Sequence, residues 1–247
     1  MIVRNQNSRN VFCITQLHHS LMTGALADAW KPDFTSTLNA FDKVKKAALL
    51  HDFGWLDWEA SPEVNPETNH PHDFLDMPKK AHLDIWRNGL FDTAALDPLI
   101  GLLVLRHNMT LAKKDAESDE SVKKFMDLMN IEDALLEDHI LDIMPELNRA
   151  ELKRMSAFIL LMDYISLRML MGTTRENPFG PPPAFDGINF EMKPLENAPE
   201  TMSLSPWPFA KEIFEWKAWG WVHKQGERFE SLPAPSKKDM LFTLVPG

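Results

Sequence analysis

The sequence predicts a mainly α-helical fold with a small β-rich element formed by the N- and C-terminal segments. Two observations predict it. Between residues 15 and 171, apolar residues recur at helical spacing, and the prolines lie at the ends of these segments or between them. Before and after this region the apolar runs are short, and polar turns or prolines separate them, which is typical of strands.

The N-terminal elements are a predicted hairpin and two predicted helices. Residues 1–4 and 11–14 are short apolar runs on either side of a polar turn, and we expect them to form two strands. Residues 15–30 have a broad apolar arc at helical spacing, and Pro32 marks the end of this helix. Residues 38–52 form the second predicted helix, with Gly54 at its C-terminal exit.

The middle of the chain alternates between a loop and further helices. Residues 55–77 contain three prolines and predict a loop. Pro78 and Pro98 suit the first turns of two helices, the first ending at Gly89 and the second apolar on nearly every face, which is typical of a central helix. Residues 121–144, either continuous or broken, and residues 149–171 complete the helical region.

The character of the sequence changes at residues 177–183, a proline-rich connector. Strand-like pieces follow at residues 188–192, 201–204, 214–221 and 240–244, and these can pair with the N-terminal hairpin to form a small sheet against the helices. We therefore predict a helical domain with an N-terminal hairpin at residues 1–176. Residues 177–247 would form the connector and a β-rich segment that packs on the same domain.

Composition limits the functional classes. The 247 residues include 36 acidic and 26 basic side chains, and the formal charge of -10 disfavours a general nucleic-acid binder. A small anionic substrate held by local basic residues is still compatible with this charge.

The single cysteine, Cys13, excludes an intrachain disulfide and thiolate-rich zinc sites and suits a reducing compartment. No apolar run is long enough for a membrane span, and no signal peptide is evident, so we expect a cytoplasmic protein; a homo-oligomer is compatible with the sequence.

Several side chains of metal-binding type lie where the helix pattern predicts burial. Asp163 is the strongest, because it stands inside the apolar run 158–165. An unpaired carboxylate there would cost several kcal/mol, so Asp163 must be protonated, paired with a cation such as Arg168, or bound to a metal. A single buried histidine is more often a hydrogen-bonded core residue than a ligand. Four separate helices each supply such a group, however, and this favours a metal site formed by His19, His51, Asp52, His107 and Asp163.

The order of these residues resembles that of the HD-domain superfamily of metal-dependent phosphohydrolases. With His82 and His107 included, it resembles the members that hold two metals with six ligands. The resemblance covers roughly residues 15–171 and implies an HD-domain-like helical core. It further implies that His19, His51, Asp52 and Asp163 bind the principal metal, that Asp52 bridges two ions, and that His82 and His107 complete a second site. His82 has an alternative as a solvent-facing residue of an amphipathic helix.

Four motifs resemble, more closely, an uncharacterised bacterial family of unknown function within that superfamily. They are residues 14–19 (ITQLHH), 51–55 (HDFGW), 163–167 (DYISL) and 206–209 (PWPF). The position of Gln16 is the reason for choosing His19 over His18 as the ligand. Trp55 stands where the branch that cleaves cyclic dinucleotides has a lysine, and the Gly-Tyr-Pro signature of that branch is absent. These departures disfavour cyclic-dinucleotide hydrolysis.

The predicted chemistry follows from the ligand types. Histidine and aspartate without thiolate suit one or two ions of Mn, Fe, Ni, Co or Zn. We therefore expect a metal-dependent hydrolase of a phosphate ester, with nucleotides among the candidates, in which His51 and Asp52 are catalytic and a metal-activated water attacks. Arg106, Arg168 and Trp55 are the predicted substrate-binding residues. The alternatives are a di-iron HD-type oxygenase and a non-catalytic metal- or nucleotide-binding module.

Other residues near these motifs have weaker assignments. Asp57 and Glu59 either assist proton transfer or are surface acids, and Lys79 and Lys80 either bind the anion or are solvated. Aromatic side chains are candidates for a pocket wall, with the late PWPF segment as a lid, although aromatic residues more often belong to a core. These aromatic candidates are Trp55, Trp58, Trp86, Trp207 and Phe209.

Overall fold

In the computed structural model, the described residues are 1–7, 10–172, 176–198, 200–224, 229 and 236–247. The helices of these residues are α1 (Gln16–Ala29), α2 (Phe41–Leu50), α3 (Trp55–Ala60), α4 (Lys79–Leu96), α5 (Pro98–Ala112), α6 (Glu120–Ile143) and α7 (Arg149–Met171). The strands are β1 (Ile2–Asn7), β2 (Asn10–Ile14), β3 (Glu191–Pro194), β4 (Thr201–Ser205), β5 (Phe214–Lys224) and β6 (Lys237–Pro246).

All six strands belong to one sheet with the order β1-β2-β5-β6-β4-β3. The N-terminal hairpin joins the C-terminal strands through antiparallel pairing of β2 with β5, in which Cys13 lies opposite Trp221. The neighbours β4 and β6 are parallel, and the other pairs are antiparallel. Strands from both ends of the chain therefore form a single layer, and helices α1 and α7 contact it.

The prediction of a mainly α fold, an HD-domain-like helical core with only a small β-rich element, is wrong. The protein is 49% helical and 20% strand, and its six-stranded sheet curls into a half-barrel, so the architecture is mixed α and β. The sequence underestimated the sheet because β5 and β6 extend beyond their apolar runs into polar residues such as His223 and Lys238. Polar side chains are tolerated on the solvent face of an antiparallel pair, where the backbone hydrogen bonds are the same.

Several helix predictions are confirmed, and two need correction. The helix at 149–171 has the predicted bounds, and α6 is continuous. The segment predicted as a loop begins with α3, and α4 continues through Gly89 to Leu96. Gly89 lies inside α4 and against Gly54, where a Cβ added at Gly54 would approach the Ile85 carbonyl oxygen to 2.2 Å. These two glycines allow the turn after Asp52 to contact α4 directly.

Helices α1, α2, α5 and α7 contact one another around the centre of the molecule. The apolar character of α5 is explained by this position, since its residues from Leu99 to Leu105 are buried. The buried half of α7 runs from Leu161 to Met171 and includes Asp163. Among the described residues, no helix is both long and apolar enough to cross a membrane.

Candidate metal centre

Four predicted ligands meet where α1, α2 and α7 contact one another. Helix α1 begins at a cap in which the Thr15 hydroxyl accepts a hydrogen bond from the backbone N–H of His18, and it presents His19 inward. His51 directly follows α2, Asp52 begins the next turn, and Asp163 projects from the middle of α7. All four are buried: His19 is 0% exposed, His51 2%, Asp163 4% and Asp52 7%.

The facing atoms of these side chains lie within hydrogen-bond or near hydrogen-bond distance. His19 Nε2 is 2.9 Å from Asp163 Oδ1, 3.1 Å from His51 Nε2 and 3.6 Å from Asp52 Oδ2. His51 Nε2 is 3.4 Å from Asp163 Oδ1 and 3.5 Å from Asp52 Oδ2. Ligand atoms of His19, His51 and Asp163 all lie within 4.8 Å of one another, so this buried group could hold a metal ion.

The outward-facing nitrogen of His51 is fixed by a backbone carbonyl. His51 Nδ1 lies 2.8 Å from the Ala48 oxygen, which can only accept, so Nδ1–H is the donor. Nε2 therefore faces the carboxylates of Asp52 and Asp163, and it carries a lone pair toward them whenever the imidazole is neutral. Two carboxylates and a nitrogen lone pair at these distances repel one another unless a cation lies among them.

The pKa values of His51 and Asp163 are shifted by the same close contacts. Burial alone would lower the pKa of His51, but the charge of Asp52 and the hydrogen bond and charge of Asp163 raise it to about 9. Burial would raise the pKa of Asp163, yet hydrogen bonds with His19 and His51 hold it well below its usual range. In the absence of a metal, a proton on His51 supplies the positive charge.

Serine hydroxyl groups lie beside the Nδ1 atoms of both His19 and His51. Ser166 Oγ is 3.1 Å from His19 Nδ1 and donates its own proton to the Asp163 carbonyl oxygen at 2.9 Å. Thr23 Oγ1 lies 2.8 Å from Ser166 Oγ, and Ser20 Oγ lies 3.3 Å from His51 Nδ1. Sequence reasoning missed these hydroxyls, although Ser166 lies three residues after Asp163 and so shares its helix face.

His107 lies beside this group, on α5. Its Nε2 is 3.6 Å from Asp163 Oδ2, and its ring centroid is 4.9 Å from that of His51. Burial lowers the pKa of His107 to about 4, so the imidazole is neutral at pH 7. Within the described part of the chain neither of its nitrogens has a hydrogen-bond partner. A buried neutral imidazole with both nitrogens unsatisfied is unusual, and an ion bound in the group would give a partner to Nε2, the nitrogen that faces Asp163.

His82 does not join the group of ligand atoms. Its ring packs against Trp86 and Trp55, with centroid distances of 4.1 and 5.3 Å. Burial, with a contribution from Lys79, lowers the pKa of His82 to about 3. Its role as a ligand stays a prediction. The ring of His18, the neighbour that was not chosen as a ligand, packs against Trp216 and Trp219 of β5.

The predicted substrate-binding residues are dispersed. The Arg106 guanidinium donates to Asp133 at 2.6 Å and pairs with Glu137, both on α6. Arg168 is buried on α7, and Trp55 is buried with its ring edge-to-face against Trp58. The donors of Arg106 are thus engaged by carboxylates, whereas the roles of Arg168 and Trp55 stay predictions.

Other sequence assignments change with the structure. Glu59 is not a surface acid: its carboxylate is buried, accepts from the backbone N–H of Gln16 at 2.6 Å and of Leu17 at 3.3 Å, and so caps α1. Phe209 packs on Trp30, with ring centroids 6.1 Å apart. Trp30 follows the last residue of α1, about 16 Å along the helix from His19. The PWPF segment therefore packs at the far end of α1 and does not cover the His/Asp group.

Comparison with known proteins identifies the family. Residues 1–221 match the family described as Protein of unknown function (DUF3891), and the chain belongs to this family. The matched region includes every predicted metal ligand and most of the sheet. No curated protein and no solved structure matches the chain. The family description names no activity.

Proposed function

We propose that this protein holds a divalent transition metal between His19, His51, Asp52 and Asp163 and uses it to hydrolyse a phosphate ester. Nucleotides are among the candidate esters. The observation that carries the metal assignment is the orientation of His51. Its Nδ1–H donates to the Ala48 carbonyl, so its Nε2 faces carboxylates at 3.4 and 3.5 Å and can hold either a proton or a metal ion there.

The donor set fits a metal better than a single proton. A proton on His51 can serve only one of the close contacts, whereas His19, Asp52 and Asp163 all converge on the same point. Imidazole nitrogen and carboxylate oxygen without thiolate suit Mn, Fe, Co, Ni or Zn. The hydroxyl of Ser166 and the carbonyl of Ala48 supply the outer hydrogen bonds that orient ligating histidines in metalloproteins. His107 is the candidate ligand for a second ion.

The reaction class is proposed from the chemistry of such a site and from the ligand order. A divalent ion held by these residues would lower the pKa of a bound water toward 7 and would polarise a phosphoryl oxygen. Asp52 is the most exposed carboxylate of the group, at 7%, and we assign it the acceptance of the proton released during attack. His51 contributes by holding the ion at which the substrate would bind, since its other nitrogen is engaged by the Ala48 carbonyl. The order of His19, His51-Asp52 and Asp163 resembles that of HD-domain phosphohydrolases, which supports phosphate esters as the substrate class.

The test is hydrolysis of a phosphoester panel by protein loaded with each of the five metals. We expect release of phosphate or of a nucleoside with at least one metal, its loss with a chelator, and its loss in Asp52→Asn. Asp57→Asn is the matched control, because Asp57 is an exposed acid five residues away. Equal activity in Asp52→Asn and the natural protein would refute the assignment of Asp52.

A second candidate function is a non-catalytic metal-binding module. The observation that favours it is the burial of the whole group, none of whose four ligands is more than 7% exposed. Full metal occupancy without turnover of any ester in the panel would establish this candidate and refute the hydrolase.

A further inference from the structure

Helix α6 has an apolar stripe on its solvent side. Leu128, Ile131 and Leu135 are 60%, 59% and 62% exposed. Scattered exposed leucines are normal on protein surfaces, but a contiguous stripe of large apolar residues marks an interaction site. The opposite face of the same helix is the one that packs on the protein, through Val122, Phe125, Met129 and Ile140.

The spacing of the stripe suits another helix. The three residues follow one another at intervals of three and four, which places them along one seam of the α6 surface. Such a seam buries its side chains when a second helix lies nearly parallel or antiparallel to it. Ile131 is at the middle of the seam, and α6 continues for more than two turns on either side of it.

Charges at the two ends of the stripe indicate which helix fits. Lys124 lies seven residues before Ile131, and Asp138 lies seven residues after it. Both are well exposed, Lys124 at 73% and Asp138 at 76%, and their present partners Glu120 and Arg149 are also exposed. Exposed ion pairs of this kind contribute little and exchange readily. At these two positions the surface of α6 is therefore complementary to itself when it is turned end to end about Ile131.

We propose that a second copy of this chain docks on α6, with the two α6 helices antiparallel and a twofold axis at Ile131. In this arrangement Leu128 packs on Leu135 of the other copy, and Lys124 meets Asp138 twice. A parallel pair would instead set like charges and like helix ends side by side, which is unfavourable. Because a seam of one helix is near the lower end of stable interface sizes, the dimer dissociates on dilution.

Sedimentation over a concentration series tests the dimer. The natural protein is expected to shift from 28.3 kDa toward twice that mass as its concentration rises into the tens of micromolar. Ile131→Asp places two like charges at the twofold axis and is expected to keep the protein monomeric throughout. Leu96→Asp is the matched control, because Leu96 is 65% exposed on α4 and should leave the dimer unchanged. A monomer at every concentration, or a dimer that survives Ile131→Asp, refutes the proposal.

Cysteine cross-linking tests the orientation. Cys13 is buried, so an introduced cysteine is the accessible thiol. Ile131→Cys is expected to form a disulfide-linked dimer on mild oxidation. Lys124→Cys should not, because antiparallel helices separate the two copies of this position by about 21 Å along the axis, far beyond disulfide reach. Efficient cross-linking of Lys124→Cys to itself would refute the antiparallel arrangement.

Discussion

Removing the hydroxyl of Ser166 is expected to weaken metal binding without touching a ligand. When an ion occupies Nε2 of His19, the ring carries its proton on Nδ1, and Ser166 Oγ at 3.1 Å is the acceptor for it. Ser166→Ala leaves that N–H without this acceptor at a position where His19 is 0% exposed. In the metal-free protein His19 avoids this cost, since its proton can move to Nε2 and donate to Asp163 at 2.9 Å.

The magnitude follows from this difference between the two states. A buried donor without a partner costs about 1–3 kcal/mol. Since the cost falls on the metal-bound state alone, the dissociation constant should rise about 10–100-fold, the range found when outer hydrogen bonds to ligating histidines are removed.

Competition with a chromophoric chelator measures this change in affinity. Ser156→Ala is the matched control, because Ser156 lies on the same helix and its hydroxyl donates to the Leu152 carbonyl oxygen. We expect Ser156→Ala to bind metal as the natural protein does. An affinity of Ser166→Ala within twofold of the natural protein would show that Ser166 does not orient His19.

Three further predictions concern the same site and its surroundings. Removal of bound metal with a chelator should lower the melting temperature by roughly 5–10 °C when the free ion had been at about 100 times its dissociation constant, as scanning calorimetry can measure. Metal affinity should increase with pH up to about 9 and then level off, because the pKa of His51 is raised to about 9 and the ion must displace a proton below that pH. Titration calorimetry in buffers of different ionisation enthalpy measures the number of protons released. An affinity that does not depend on pH would contradict the assignment of His51 as a ligand. Phe209→Ala should lower the free energy of unfolding, measured in urea, by about 3–5 kcal/mol, because Phe209 is buried against Trp30. Metal affinity should stay unchanged. Weaker metal binding in this variant would mean that the PWPF segment does reach the site.

Much of the site could be predicted from the sequence because burial and residue type are both local signals. Asp163 stands in an apolar run of a helix whose bounds were predicted correctly, so its burial followed from periodicity. His19 and His51 lie on or beside helices with similar apolar faces. The structure brings these three together, as expected for residues that share a cation.

The extent of the sheet, the role of Glu59 and the partners of Arg106 depend on contacts between distant parts of the chain. Local sequence patterns do not show such contacts. The sheet was underestimated because Lys238 and His223 lie in strands held by backbone hydrogen bonds to neighbouring strands rather than by an apolar pattern. Glu59 looked like a loop acid, and only the approach of α1 reveals it as a cap. The carboxylate partners of Arg106 are 27 and 31 residues away on another helix, so its engagement could not be predicted from its neighbours.

The central claim is that His19, His51, Asp52 and Asp163 bind a metal, and elemental analysis of protein purified without added metal tests it most directly. We predict about one equivalent or more of a transition metal in the natural protein and none in Asp163→Ala, with His18→Ala as a control that retains it. His18 is a buried histidine next to His19 that lies against Trp216 and Trp219 instead. A natural protein without metal, or full occupancy in Asp163→Ala, would contradict the claim.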